Sequence, residues 1–232
     1  DHRQWLEQLT GLAEHFQVIA PDLRGFGKST LTEQPYTLAD LAEDVEQVRV
    51  HLAGDEPIAL CGLSMGGYVA FEYWRRYSKN LSALVLTNTK PEADDDQGRA
   101  NRQAMIDQAQ LSGSWAAVCG MLSKQLSQQH VQERGHVYRS VEQMLKSCSV
   151  EAVCCAQRAM AKRADFTVSL PSLSTPSLVI AGEEDTIAPP TATRKWAAVM
   201  PHSQCHVVAG AAHLTPLEQP EQCNKLVLAF LT

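Results

Sequence analysis

The stretch Ile58-Ala-Leu-Cys-Gly-Leu-Ser-Met-Gly-Gly-Tyr68 decides the fold that this sequence predicts. A short apolar run, residues 58–61, ends in Gly-Leu-Ser-Met-Gly at residues 62–66, and a helical pattern continues from there to Tyr77. When a G-x-S-x-G turn joins an apolar strand to a helix, the central serine sits in a strained turn with its hydroxyl exposed. We therefore predict that Ser64 is a nucleophile at the carboxyl end of a strand.

The glycines around Ser64 have a predicted steric role. A side chain at Gly62 or Gly66 would collide with the strand or the helix, and Gly67 would let the helix pack close to the sheet. The simpler alternative is a strand-to-helix turn in which Ser64 only caps the helix. The apolar strand before the turn and the helix after it favour the nucleophile.

The composition predicts a folded protein and argues against nucleic-acid and membrane partners. The 232 residues are 44% hydrophobic and 6% aromatic, which is enough for a full core in one large domain, with or without an insertion. The 20 Lys and Arg against 26 Asp and Glu give a net charge of −6 without a basic stripe, which argues against a nucleic-acid partner. No apolar run approaches membrane-spanning length, so we expect no membrane partner.

The cysteines argue for a reducing compartment. There are seven, an odd number, and several lie in apolar surroundings, as Cys61 does. We expect reduced core cysteines in a cytoplasmic protein. The neighbouring Cys154 and Cys155 lack C-x-x-C spacing, so we expect no redox pair there.

We expect neither a metal nor a cofactor. The Gly-rich loop at residues 22–29 lacks the G-x-x-x-x-G-K-[ST] spacing of a nucleotide loop. The acidic run Asp94-Asp-Asp96 has no interleaved His or Cys. We therefore interpret this run as a solvated loop or a helix start rather than a metal site.

Alternating strand and helix patterns predict a parallel sheet with right-handed crossovers, hence an α/β fold. Thr37 is a predicted N-cap and Gly54 a predicted helix end. The predicted strands are 17–20, 58–61, 81–87, 175–181 and 205–209. The predicted helices beside them are 5–16, 38–52, 65–77, 191–200 and a closing helix that ends at residue 230.

Strand signals vanish in the middle of the chain. The predicted helices there are 99–110, 115–128, 131–146 and 150–163. We therefore divide the chain into a first core part at residues 1–90, a helical cap insertion at 91–168 and a second core part at 169–232.

A serine hydroxyl needs a base within hydrogen-bond reach, and the base needs an orienting carboxylate. In a parallel sheet both should lie past the carboxyl ends of strands. Asp185 follows the predicted strand 175–181, and His213 follows the predicted strand 205–209. We predict that His213 is the base and Asp185 the acid.

Other candidates for the acid lie on the same loop. Glu183 and Glu184 also follow the strand, but a short carboxylate before Thr-Ile-Ala-Pro suits a rigid turn, which favours Asp185. The remaining seven histidines lie before Ser64, in the helical insertion, after a helix or inside a strand.

These residues resemble the α/β-hydrolase superfamily, in particular its small bacterial esterases and 3-oxoadipate enol-lactonase-like proteins. The resemblance implies a mostly parallel sheet with helices on both faces, triad roles for Ser64, Asp185 and His213, and an oxyanion amide at Met65. A serine rather than an aspartate at the turn speaks against a haloalkane dehalogenase. The matching segments are Trp5, 18–29, 61–67, 84–86, 175–185 and 212–220.

The resemblance also implies a departure at the front of the chain. Relatives have strands and a His-Gly loop before the position of Trp5, and that loop supplies a second oxyanion amide. In the sheet of these relatives, one of the early strands lies between the two strands that match residues 17–20 and 58–61. We therefore expect that the sequence is N-terminally incomplete and that its first strands are missing.

The resulting expectation is a cofactor-independent serine hydrolase that cleaves small-molecule carboxylic esters or lactones through an acyl-Ser64 intermediate. A non-catalytic receptor with the same fold is the alternative from another class. Perhydrolase and C–C hydrolase chemistry also occur in the superfamily.

Overall fold

Four strands form one parallel sheet in a computed structural model that describes residues 1–31 and 35–232. Their order across the sheet is β1-β2-β3-β4, which is also their order in the chain. Each strand pairs in parallel with the next, so the carboxyl ends of all four meet at one edge. The strands are β1 (Ile58–Leu63), β2 (Leu81–Thr87), β3 (Ser177–Gly182) and β4 (Ser203–Val208).

Helices lie on both faces of this sheet, which confirms the predicted α/β class. The first helices of the chain are α1 (Leu6–Gly11), α2 (Leu38–Ala53) and α3 (Met65–Tyr77). Those between β2 and β3 are α4 (Asp96–Ser112), α5 (Ser114–Val118), α6 (Leu122–Gln125), α7 (Gln128–Glu133), α8 (His136–Lys146) and α9 (Val150–Ala161). The last helices are α10 (Pro190–Ala197), α11 (Thr215–Glu218) and α12 (Pro220–Leu231).

Successive side chains of β2 point to opposite faces and so help to build two separate cores. Leu84 and Leu86 belong to one core with residues of α2 and α3. Val85 belongs to the other, with Leu12 and with Val227 of α12. Burial of both faces explains why this strand reads as a continuous apolar run.

Several predicted elements are confirmed at or near their bounds. α3 and β2 begin and end at the predicted residues. α2 begins with a capping box, in which Thr37 and Asp40 each accept a hydrogen bond from the other's backbone amide. Gly54 ends α2 with a φ of 61°, a left-handed conformation that glycine adopts easily.

The predicted strand at residues 17–20 is wrong. These residues have no regular secondary structure, and they line a large cavity that is also lined by Ala59 and Cys61 of β1. A strand persists only when a neighbouring strand pairs its backbone amides and carbonyls. In the described part of the chain β1 pairs with β2 alone, so residues 17–20 have no strand beside them.

Three predicted helices differ in extent or continuity. The predicted helix 5–16 starts as a 3₁₀ turn, His2–Trp5, and α1 already ends at Gly11. The predicted helix 115–128 is divided into α5, a 3₁₀ turn (Cys119–Met121) and α6. Arg134 has a φ of 46°, and this left-handed residue interrupts the predicted helix 131–146 between α7 and α8.

All regular elements between β2 and β3 are helices, which is what a helical insertion requires. The boundaries at residues 91 and 168 stay a prediction. No helix within residues 1–31 and 35–232 has the length and apolarity needed to cross a membrane.

All seven cysteines are free thiols. Cys154, Cys155 and Cys223 are buried as predicted. Cys61 and Cys119 are exposed, so the prediction of core positions is wrong for these two. Cys61 faces the cavity beside β1, where no strand covers it among the described residues.

Candidate active site

Ser64 occupies a strained turn between β1 and α3. Its φ is 52° and its ψ is −112°, values that non-glycine residues rarely adopt. The turn is held by two hydrogen bonds: Ser64 N–H donates to the Thr87 carbonyl at 3.0 Å, and Thr89 Oγ1 donates to the Ser64 carbonyl at 2.9 Å. Ser64 stands at the N-cap position of α3, but its side chain makes no capping hydrogen bond to the helix, so capping does not use its hydroxyl.

Two of the three glycines have the predicted steric role. A Cβ at Gly62 would collide with the carbonyl of Gly66, and a Cβ at Gly67 would collide with the side chain of Thr89. Apart from its chain neighbours and the backbone of α3, a Cβ at Gly66 would have no heavy atom of the described chain within 4 Å, so the predicted collision with the strand is wrong there. The tight packing of the turn therefore depends on Gly62 and Gly67.

Asp185 and His213 form a buried pair. They are 3% and 2% exposed, and His213 Nδ1 lies 2.8 Å from Asp185 Oδ2. The other oxygen of Asp185 accepts the N–H groups of Ile187 at 2.8 Å and Ala188 at 3.0 Å, which forms the rigid turn expected from the sequence. A carboxylate on Nδ1 keeps that nitrogen protonated and leaves Nε2 free to act as a base.

Hydrogen bonding keeps Asp185 ionised. Burial by itself would raise the pKa of Asp185, but the hydrogen bonds from His213, Ala188 and Asn88 outweigh it and hold the pKa below its ordinary value. The two alternative carboxylates on this loop, Glu183 and Glu184, have no contact with His213 among the hydrogen bonds of the described residues. Glu183 is exposed, and Glu184 accepts the N–H of Gln128 at 3.0 Å.

Asn88 is a site residue that the sequence reasoning missed. It follows β2 directly, has a φ of 48° and is buried. Its Nδ2 donates to Asp185 Oδ2 at 2.9 Å and to the Ala212 carbonyl at 3.0 Å, so one side chain positions both the acid and the loop before His213. The available signal was its place just past the carboxyl end of a predicted strand.

Glu218 lies in the matching segment 212–220, and the sequence predicted no role for it. Its side chain is fully buried. Oε1 accepts the N–H of Ala212 at 2.8 Å, and Oε2 accepts the N–H of Ser127 at 2.6 Å. His130 Nδ1 lies 3.1 Å from the same Oε2. One carboxylate therefore joins the backbone beside His213 to the segment between α6 and α7.

Backbone hydrogen bonds strengthen this connection. The N–H groups of His213 and Leu214 both donate to the Gln125 carbonyl, at 3.1 and 3.2 Å. Together with the bond from Gln128 to Glu184, they attach residues 125–128 to the loop that carries His213 and to the loop that carries Asp185. The helical segment between β2 and β3 thus helps to hold the catalytic candidates in place.

Ser64 and His213 line one cavity of about 1010 Å³. The structure shows no hydrogen bond between these two side chains, whereas it brings Asp185 and His213 into direct contact. Met65, the predicted oxyanion donor, lies at the start of α3 on the same cavity. The first amides of a helix lack intrahelical acceptors and favour negative charge, so the Met65 N–H suits that role.

The acidic run at residues 94–96 is only partly as predicted. Asp95 caps α4 by accepting the N–H of Gly98 at 2.7 Å, which confirms a helix start. Asp94 is buried and forms ion pairs with Arg102 and with Arg163, the latter at 2.6 Å, so the expectation of a solvated loop is wrong for Asp94. Two guanidinium groups compensate the burial of one carboxylate here.

Asp1, His2 and Asp22 are the group with metal-ligand spacing among the described residues, and their ligand atoms lie within 4.8 Å of one another. These atoms already have partners. Asp22 Oδ1 accepts the His2 N–H at 2.7 Å and lies 2.8 Å from His2 Nδ1, and Asp22 Oδ2 accepts the Lys28 N–H at 2.9 Å. Asp22 therefore acts as the centre of a hydrogen-bonded loop.

Known proteins share this architecture over the whole chain. 3-oxoadipate enol-lactonase 1 of Acinetobacter baylyi is 28% identical over 233 residues, covering 100% of this chain and 84% of that protein. Proline iminopeptidase PfmaB of Pestalotiopsis fici is 23% identical and covers 100% of this chain and 87% of its own length. A malate-bound thermophilic esterase from Thermogutta terrifontis superposes with a TM-score of 0.96 at 35% identity, covering 100% of this chain and 85% of that structure.

A family match agrees with these relatives and with the geometry of the sheet. The family described as alpha/beta hydrolase fold matches residues 1–220. This range includes β1 to β4 and the turn at Ser64, as well as the loops that carry Asp185 and His213. The chain therefore belongs to the α/β hydrolase fold family.

Proposed function

We propose that the protein hydrolyses carboxylic esters or lactones of small molecules, with Ser64 as nucleophile, His213 as base and Asp185 as the acid. The observation that carries the proposal is that a strained Ser64, whose side chain makes no capping hydrogen bond, lines one cavity with His213, which pairs with the buried Asp185. A serine hydroxyl and an oriented imidazole on the same site are the minimum that acyl transfer to serine requires.

The reaction follows from the roles of these groups. Ser64 Oγ attacks the carbonyl carbon while His213 Nε2 takes the hydroxyl proton, and Asp185 stabilises the resulting imidazolium. The negative oxygen of the tetrahedral intermediate accepts a hydrogen bond from the Met65 N–H. His213 then returns the proton to the departing alkoxide, and the C–O bond of the ester breaks.

The second half of the reaction regenerates the enzyme. Water gives a proton to His213 and attacks the acyl-Ser64 carbonyl, and the carboxylic acid leaves when Ser64 recovers its proton. In a lactone the departing alkoxide stays attached to the acyl chain, so a single hydroxy acid is released. Residues 91–168 are proposed to act as the cap over this site, because residues 125–128 contact both catalytic loops.

The relatives support ester chemistry without deciding it. An enol-lactonase and an esterase are named among them, but so is an iminopeptidase. Family membership therefore leaves the type of bond open, and the assignment to esters and lactones is our proposal.

A fluorophosphonate probe tests the proposed nucleophile. We expect labelling of the wild-type protein and none of Ser64→Ala, together with release of p-nitrophenol from short p-nitrophenyl esters. Labelling at the Ser64→Ala level would instead favour a non-catalytic receptor. Labelling without turnover of any ester or enol-lactone would contradict ester hydrolysis and direct attention to C–C bond cleavage or perhydrolysis.

A further inference from the structure

The peptide unit just before His213 is held from both sides. The N–H of Ala212 donates to Glu218 Oε1 at 2.8 Å. The carbonyl of Ala212 accepts hydrogen bonds from Asn88 Nδ2 and from Thr215 Oγ1, both at 3.0 Å. Because Ala212 is bonded directly to His213 in the chain, these contacts set where the imidazole of His213 lies. Glu218 provides the only one of them that is made by a carboxylate.

The carboxylate of Glu218 needs hydrogen-bond donors because its side chain is fully buried. Two backbone amides supply part of this need, Ala212 N–H at Oε1 and Ser127 N–H at Oε2. No Lys or Arg within residues 1–31 and 35–232 forms an ion pair with Glu218. A carboxylate that has left water is stable only when donors replace the water molecules that solvated it. The further donor within reach is His130, whose Nδ1 lies 3.1 Å from Oε2.

The surroundings of His130 Nδ1 determine where this imidazole carries its hydrogen. Nδ1 lies 2.9 Å from Ser127 Oγ and 3.1 Å from Glu218 Oε2. An ionised carboxylate only accepts hydrogen bonds, so an Nδ1 without hydrogen would point its lone pair at a negative oxygen. An Nδ1–H instead donates to that oxygen, and a hydrogen bond to a charged acceptor is stronger than one between neutral groups. His130 therefore carries a hydrogen on Nδ1 and gives Glu218 its third donor.

His130 acts at a distance from the reacting groups. It lies on α7, in the helical part of the chain between β2 and β3, and its side chain is 16% exposed. In the described part of the chain it is not among the residues that line the cavity of Ser64. Any effect of His130 on the reaction therefore passes through Glu218 and the N–H of Ala212.

We propose that His130 is a positioning residue for His213: its Nδ1–H holds the carboxylate of Glu218, which holds the backbone N–H of Ala212. This inference rests on the proposed function, in which His213 is the base. Small misplacements of a base lower the rate of the chemical step even when the substrate still binds normally. The loss of the Nδ1–H should therefore lower kcat and leave KM nearly unchanged.

Three substitutions of similar shape test the role of the Nδ1–H. His130→Asn keeps a donor at nearly the same place, because the amide nitrogen of asparagine is attached to Cγ as Nδ1 is in histidine. His130→Leu has no donor, and His130→Asp places a second carboxylate against Glu218. We expect kcat to fall by about tenfold or more in His130→Leu and further in His130→Asp, but to stay within about threefold of the wild type in His130→Asn.

Hydrolysis of a p-nitrophenyl ester measures kcat and KM for each variant. The number of active sites is taken from complete labelling of Ser64 with a fluorophosphonate, so that a loss of folded protein does not count as a loss of kcat. His136→Leu is the matched control, because His136 belongs to the same helical part of the chain but is exposed. It should keep the kcat of the wild type.

Three results would overturn the positioning role. The first is a wild-type kcat in His130→Leu. The second is an equal loss in His130→Asn and His130→Leu, since the Nδ1–H would then not be the cause. The third is a raised KM at constant kcat, which would mean that His130 affects substrate binding.

A double variant tests whether His130 acts through Glu218. When the carboxylate has already been replaced in Glu218→Gln, adding His130→Leu should lower kcat by less than about twofold further, because groups that act as one unit are not additive. If the two single losses multiply in the double variant, His130 acts independently of Glu218 and the proposal fails.

The same labelling separates this inference from the proposed function. If Ser64 of the wild-type protein is not labelled above the Ser64→Ala level, the proposed function itself fails. If the wild type is labelled and hydrolyses the ester but His130→Leu has the same kcat, only the positioning role of His130 is wrong.

Discussion

Asp185 Oδ2 accepts a hydrogen bond from His213 Nδ1 at 2.8 Å, and Asn88 Nδ2 donates to the same oxygen at 2.9 Å. Asp185 is thus held between His213 and the Asn88 amide, which also donates to the loop before His213. Because all three side chains are buried, this arrangement is protected from water and depends on complete hydrogen bonding.

Asp185→Asn should abolish most of the activity while keeping the fold. The amide has nearly the same shape, but it favours the wrong tautomer of His213 and cannot stabilise the imidazolium, so kcat should fall by about 10⁴-fold. Steady-state hydrolysis of a p-nitrophenyl ester measures the loss. Glu183→Gln is the control on the same loop and should retain activity, since Glu183 is exposed. Comparable losses in both variants would contradict the assigned acid.

Replacing Asn88 tests whether its amide positions Asp185. Asn88→Gly and Asn88→Ala both remove the amide, but only glycine adopts the φ of 48° without strain. We expect a similar loss of kcat in both, about tenfold or more, and an additional stability loss of about 1 kcal/mol in the alanine variant. Urea unfolding and ester turnover measure the two effects. Full activity in Asn88→Gly would refute a positioning role.

Glu218→Gln should weaken the connection between residues 125–128 and the loop of His213. The two carboxylate oxygens of Glu218 accept three hydrogen bonds, whereas glutamine offers a single amide oxygen. The new NH₂ group would also face another donor, the N–H of Ala212 or Ser127. We expect a loss of about 2 kcal/mol in the free energy of unfolding, together with a lower kcat.

Glu184→Gln provides the matched control for Glu218→Gln. Glu184 also accepts a hydrogen bond from a backbone N–H of residues 125–128, but its side chain is exposed. Its effect on stability should stay within about 0.5 kcal/mol. If the two variants lose equal stability, burial of Glu218 is not the reason for its importance.

Acid should destabilise the protein partly through Asp22. Burial by itself would raise the pKa of Asp22, but hydrogen bonds from His2 and Lys28 outweigh it and lower the pKa to about 2, from an ordinary 3.8. A depressed carboxyl pKa contributes stability that is present above pH 3.8 and is lost as the pH falls towards 2. Urea unfolding across this window should show a shallower pH dependence for Asp22→Asn than for the wild type. Parallel curves would contradict this contribution.

The elements nearest Ser64 could be predicted because their signals are local. α3 and β2 have the predicted bounds, since the apolar run and the helical period of each lie within the element itself. Chain order and strand ends also sufficed to place Asp185 and His213 on one side of the sheet.

Residues that depend on distant partners were not predictable in this way. Asn88 and Asp185 are 97 positions apart, and Ser127 and Glu218 are 91 apart, so no local pattern links either pair. The same holds for Asp94, whose burial is compensated by Arg163 at the other end of the helical segment.

The sequence by itself therefore determined the strand–turn–helix at Ser64 and the chain order of Ser64, Asp185 and His213, because backbone preference and chain order are properties of the sequence. Only the tertiary structure decided which side chains, such as Asn88 and Glu218, hold Asp185 and the loop of His213 in place. It also decided that residues 17–20 form no strand, because a strand requires a neighbour to pair with and the described chain places a cavity there instead.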